Sequence, residues 1–167
     1  MTTLLRAIRL IALATWIGGL IFFGFVAKVA FTALPDAHQA GAVVRGALAE
    51  LHHIGLIAGL IYLLVTLTLL ASQRDSHPAR AGELALVIAM LSLTLYSQFS
   101  VIPRMENDRL SLGGDVTTAP ADSPARQHFE RLHGLSVKLE GAILIEGLLL
   151  LVLAPIHGRE DFDRFAD

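Results

Sequence analysis

The chain has 167 residues, 54% of them hydrophobic and 17% charged, with a mean hydropathy of +0.61. Soluble domains carry about 45–50% apolar and about 25% charged residues, so this composition points to an integral membrane protein. The net charge of −2 offers no basic footprint for nucleic acid, and the lack of cysteine excludes disulfides, thiolate metal sites and cysteine nucleophiles.

The apolar runs predict an all-α protein, an integral membrane four-helix bundle of up-down-up-down topology with both termini on one side. Its helices fall at about 4–34, 37–73, 79–109 and 123–157 of a single domain over 1–157, followed by a charged tail over 158–167. The first run, flanked by Arg6, Arg9 and Lys28, is longer than a signal peptide needs and reads as a retained helix that stops at Pro35. Gly18, Gly19 and Gly24 along it are small enough for a neighbouring helix to approach. Asp36 and Gln39 resemble a capping box that opens the second helix, and Gln73 to Pro78 is a polar turn. Pro103 kinks or ends the third helix, with room for another turn or two beyond it. The Gly, Thr, Pro and Asp of 111–122 make the one long loop, after which Ser123-Pro124 caps the fourth helix. Arginines divide almost evenly between the two ends, which leaves orientation open. The expected location is a bacterial inner (plasma) membrane.

Two sequences repeat a motif. Glu50-Leu51-His52-His53 and Glu130-Arg131-Leu132-His133 each place a glutamate three residues before a histidine. On a helix such a pair faces one way, and di-iron and di-manganese bundles use it to hold metal. At about 1.5 Å per residue, Lys28, Glu50 with His53, Gln98 with Arg104, and Glu130 with His133 share one level, roughly 27–36 Å from the terminal end. His133, Ser136 and Glu140 share a helix face, and Glu106 or Asp108 can be offered from beyond Pro103. His52 turns about 100° away from His53 and reads as a supporting or interface residue. Glu146, near mid-membrane, reads as a hydrogen-bonded packing residue or a contact across an oligomer interface.

Three functions remain open on these residues, and catalysis is not assigned. The first is a divalent metal site (iron, manganese, zinc or copper) on His53, His133, Glu50, Glu130, Glu106 and Glu140, serving transport, homeostasis or redox chemistry. The second is a haem held by His53 and His133 as axial ligands. The third is a membrane scaffold whose polar layer is an interfacial salt-bridge network, with Glu130 paired to Arg131 and Glu50 to Arg45. The lipid bilayer is the expected partner, and a homo-oligomer is open because four helices make a thin path.

The block Phe129-Glu130-Arg131-Leu132-His133-Gly134-Leu135-Ser136, with Val101-Ile102-Pro103-Arg104 and His53-Ile54, resembles the TMEM205-like family. That resemblance implies a small four-helix membrane protein without an established activity, for which metal handling is a natural expectation. His53, Pro103, Arg104, His133, Gly134 and Ser136 match its pattern. Glu50 and Glu130 stand where one member of that family carries aromatic residues, and Glu140 where that member carries Asn. The resemblance therefore favours the two histidines over the carboxylates.

Overall fold

The computed structural model describes residues 2–72 and 78–163. The polar turn expected at Gln73 to Pro78 falls, apart from Pro78, outside the described residues, as does the end of the charged tail. The protein is all-helical, with no strand among the described residues. Helix α1 spans Thr2–Ala33, α2 Ala37–Ser72 and α3 Pro78–Tyr96. A five-residue π turn, Ser97–Val101, joins α3 directly to α4, Ile102–Ser111, and α5 spans Pro124–Asp163. Three of the resulting rods, Thr3–Ala33, Ala37–Ala71 and Ala81–Ser111, are long and apolar enough to cross a bilayer, the mark of an integral membrane protein.

Pro103 does not end the third rod. It has no N–H to give the carbonyl of Phe99, so α-helical bonding must fail at that point. The chain absorbs the defect by widening: the Ile102 amide donates to the Ser97 carbonyl, five residues back, and α4 then resumes with proline in its first turn.

Each rod turns a seam of alternating three- and four-residue spacing inward. On α1 it is Arg9, Leu13, Trp16 and Leu20; on α2 it is His52, Gly55, Gly59, Tyr62, Thr66 and Leu69. On α3 it is Glu83, Val87, Met90 and Thr94, continued by Ser97 and Val101 of the π turn, and on α5 it is Leu132, Ser136, Glu140, Ile143, Gly147 and Leu150. Such a 3.5-residue period is that of helices crossing at shallow angles. Outward-facing residues such as Phe22, Phe25, Ile57, Leu64, Phe99, Val137 and Ile145 are as apolar as the seams, which suits a surface bathed in lipid.

The core is centred on Trp16, fully buried against α2. Its indole lies flat on Gly55 and Gly59, a Gly-x-x-x-Gly groove in which any side chain would collide with the ring. A Cβ at Gly55 would stand 2.5 Å from Trp16 Nε1, and one at Gly59 2.6 Å from Leu91 Cδ2. The close approach expected of the α1 glycines is therefore made by α2. Gly18 and Gly24 have open space beside them, and Gly19 alone of the three meets a neighbour, Leu51.

Candidate functional site

Polar and charged side chains at or beside the seams gather into two clusters on either side of Trp16. In the first, α2, the π turn and α5 converge on His52, which is 1% exposed. Its Nδ1 lies 2.8 Å from Gln98 Oε1 and its Nε2 2.7 Å from Glu140 Oε1. Ser97 Oγ donates to the same Glu140 oxygen at 3.4 Å. Glu140 Oε2 is buried without a hydrogen-bond partner. The π turn matters to this cluster: adjacent residues Ser97 and Gln98 both reach it, which the widened turn helps to aim inward.

Proton counting constrains the group. A neutral imidazole has one N–H and one lone pair, yet His52 here faces two acceptor oxygens. With the Gln98 oxygen turned toward the ring, both contacts are satisfied only when His52 and Glu140 together hold one proton beyond the neutral ring and the carboxylate. Nδ1–H then donates to Gln98. The second proton lies between Nε2 and Glu140, whichever of the two formally owns it. On losing that proton, the group can stay bonded if the Gln98 amide rotates, so that its NH2 donates to Nδ1 while Nε2–H donates to Glu140. Gln98 orientation thereby follows the protonation of the pair.

The second cluster joins the beginning of α1, the later part of α2 and the beginning of α3. Arg9 Nη1 lies 2.9 Å from Glu83 Oε1, the Tyr62 hydroxyl donates to the same oxygen, and the Arg9 guanidinium sits 5.5 Å above the Tyr62 ring. Glu83 and Tyr62 are both fully buried. Tyr62 lies ten positions after His52 on α2, roughly 15 Å along the helix, with the Trp16 contact in that interval.

Beyond the first cluster, charged groups of α4 and the start of α5 form a surface network. Arg109 donates to both oxygens of Glu106, at 2.8 and 2.5 Å, and to the Gly114 carbonyl at 2.8 Å. That last contact depends on the turn at Gly113 and Gly114, whose φ values of 76° and 94° suit glycine. Asp108 meets His128 Nδ1 at 2.7 Å, and Arg126 holds Glu130 at 3.0 Å and the Ala119 carbonyl at 2.5 Å.

The six residues chosen from sequence do not come together. Glu50 and His53 contact each other at 3.9 Å but are 78% and 57% exposed. Glu130 is exposed beside Arg126, not Arg131, and His133 is exposed, stacked on Phe129 with ring centroids 6.3 Å apart. Glu106 is taken by Arg109, with Arg45 at 3.9 Å, so Arg45 faces Glu106 where Glu50 was expected. Of the six, Glu140 alone reaches a buried cluster, and it does so through His52. Among the described residues no group of three histidine, aspartate or glutamate side chains is placed to hold a metal ion. Glu146, on α5, has its Oε2 buried and unpartnered.

His52, Tyr62 and Glu83 were missed as site residues. The signal was present: His52 falls in register with Gly55, Gly59, Tyr62 and Thr66, a stripe of small and polar residues on an otherwise aliphatic helix. The Glu-x-x-His spacing drew attention to the neighbouring histidine, one residue and 100° out of that stripe.

Comparison with known proteins adds a family but no activity. A family model described as Domain of unknown function (DUF4149) matches residues 11–109, which include His52, Tyr62, Glu83 and Gln98 but not α5. No curated protein and no solved structure matches the chain.

Proposed function

We propose, for a chain that belongs to this DUF4149 family, that it is a proton-binding membrane module whose working group is His52 with Glu140, read out by Gln98. In this reading four helices cross the bilayer up-down-up-down, with both termini on one side. A helical bundle with a lipid-facing apolar surface suits a bacterial plasma membrane, since the outer membrane is populated by barrels. The observation that carries the proposal is the fully buried imidazole held between the Gln98 amide at one nitrogen and the Glu140 carboxyl at the other. Ionisable groups inside a membrane bundle are expensive to keep, and proton relays are among their best-known uses. Exchange of one proton, with rotation of Gln98, gives the pair two bonded states. Such a pair can relay protons or couple proton binding to the movement of a small solute.

The metal reading survives only in altered form. His52 and the unpartnered oxygen of Glu140 supply two ligands, with Gln98 as a third donor of neutral type. The haem reading asks for two inward imidazoles, whereas His53 and His133 lie exposed. The TMEM205-like resemblance rests mainly on the block Phe129 to Ser136, outside the matched residues, and remains part of this proposal.

Difference infrared spectroscopy of protein in lipid nanodiscs, recorded as pH is stepped, tests the assignment. The carboxyl and imidazole bands of the pair are expected to change together, and to vanish in both Glu140→Gln and His52→Ala. Unchanged difference bands in Glu140→Gln would sink it. Stoichiometric metal in protein purified without chelator, lost in His52→Ala, would return the site to the metal reading.

A further inference from the structure

The second cluster contains two buried polar atoms whose partners the protein does not supply. Arg9 Nε is buried with no acceptor, and Thr66 Oγ1 is buried with no partner at all. The Thr66 hydroxyl is the more telling. Within these helices Thr68, Ser92 and Thr94 each turn the hydroxyl back onto the carbonyl four residues earlier, at 2.7–2.8 Å. That bond is open to any helical threonine, but Thr66 does not make it. Thr66 stands one turn from Tyr62 on the same face of α2, and Tyr62 carries Arg9 over its ring and Glu83 on its hydroxyl.

A buried N–H and a buried hydroxyl are costly if left bare, so native proteins nearly always satisfy them, with ordered water where side chains fail. The charge of the cluster selects the ligand. Glu83 already neutralises Arg9 at 2.9 Å, so an anion would find no net positive charge there, and a cation would meet the guanidinium. A small neutral molecule that both accepts and donates fits both unpartnered groups, and water is that molecule. The cluster also reaches the surface of the bundle. Arg9 retains 12% exposure while Glu83, deeper in the core, retains 1%.

We propose that Arg9, Tyr62, Thr66 and Glu83 enclose a water-binding inlet, through which bulk water enters the core from the end where α1 begins. The inlet stops at Trp16, whose seat on Gly55 and Gly59 leaves no room for solvent. The inlet stands whether or not His52 and Glu140 exchange a proton, because it rests on different atoms.

X-ray radiolytic labelling of the full chain in nanodiscs tests this directly, since hydroxyl radicals formed from resident water oxidise the side chains that touch it. Tyr62 is expected to be oxidised although it is 1% exposed, while the equally buried and more reactive Trp16 is spared. Thr66→Val keeps the shape and removes the hydroxyl. It is expected to lower Tyr62 labelling by about threefold or more, because the water loses one of its anchors. Tyr62 left unlabelled, Trp16 labelled as fast as Tyr62, or labelling indifferent to Thr66→Val would each overturn the inlet. Since Thr66→Val is isosteric, its folding is checked by the elution profile and melting of the same preparation.

Discussion

A methyl group added at Gly59 tests the packing that separates the two polar clusters. In Gly59→Ala the new Cβ would collide with the Trp16 ring and stand 2.6 Å from Leu91 Cδ2, both closer than real contacts allow. Leu91 has a flexible end that can yield, but the indole is rigid and fully buried. Overpacking of this kind costs about 1–3 kcal/mol. Replacing glycine within a helix returns about 0.5–1 kcal/mol, so the net expectation is a loss of about 1–2 kcal/mol. Gly18→Ala on α1 is the matched control, for a Cβ there meets nothing within 4 Å. It is expected to stabilise by up to about 1 kcal/mol, the helix term alone. The measurement is reversible unfolding in mixed micelles or bicelles with increasing denaturing detergent, followed by far-ultraviolet circular dichroism, because a variant of Trp16, the single tryptophan, has no tryptophan emission to follow. Within a Trp16→Leu background Gly59→Ala should recover most of its own loss, costing far less than beside the tryptophan, since the obstructing ring is gone. Equal effects of Gly59→Ala and Gly18→Ala, or no recovery in the double variant, would refute the claim that the groove is filled by Trp16.

Three further outcomes follow from the clusters. His52→Ala leaves the Glu140 carboxyl buried without its imidazole and is expected to cost about 3–5 kcal/mol, while His53→Ala, at an exposed site, should stay within about 0.5 kcal/mol by the same unfolding assay. Tyr62→Phe removes a hydroxyl that donates to a buried carboxylate and should destabilise by about 1.5–3 kcal/mol, less if the inlet water shifts to fill the place. In the loop, the hydroxyl and then the amide of Thr117 hold the Asp115 carboxyl below its ordinary value. Loop order from this contact is thus complete above the ordinary aspartate range near pH 4 and is lost as pH falls through the lower folded value. Amide exchange at Thr117 across that window should show it, and Asp115→Asn should remove the pH dependence.

The sequence by itself determined the class of the protein and the existence of its helices. Long apolar runs in a chain with few charges can only be helices in a bilayer, because unpaired backbone groups are not tolerated there. Proline and glycine punctuation gave the connections, Gln98 was already legible in the shared polar layer, and Glu140 as a candidate ligand on the face of His133. Rotation of each helix about its axis was another matter. In a soluble bundle, hydropathy tells the inner face from the outer; here lipid is as apolar as the core, so Ile57 facing out and Leu13 facing in look alike. What fixes rotation is the fit of large against small, above all Trp16 in the groove of Gly55 and Gly59, and that fit exists only between helices. Once α2 is seated by it, His52 turns inward and His53 outward, and the Glu-x-x-His pair goes to the surface with it. The π turn before Pro103 was equally beyond reach, since proline announces a defect in the helix but not which way the chain will absorb it. Tertiary packing therefore chose the residues of the candidate site, from a set of polar side chains whose depth the sequence had already approximated.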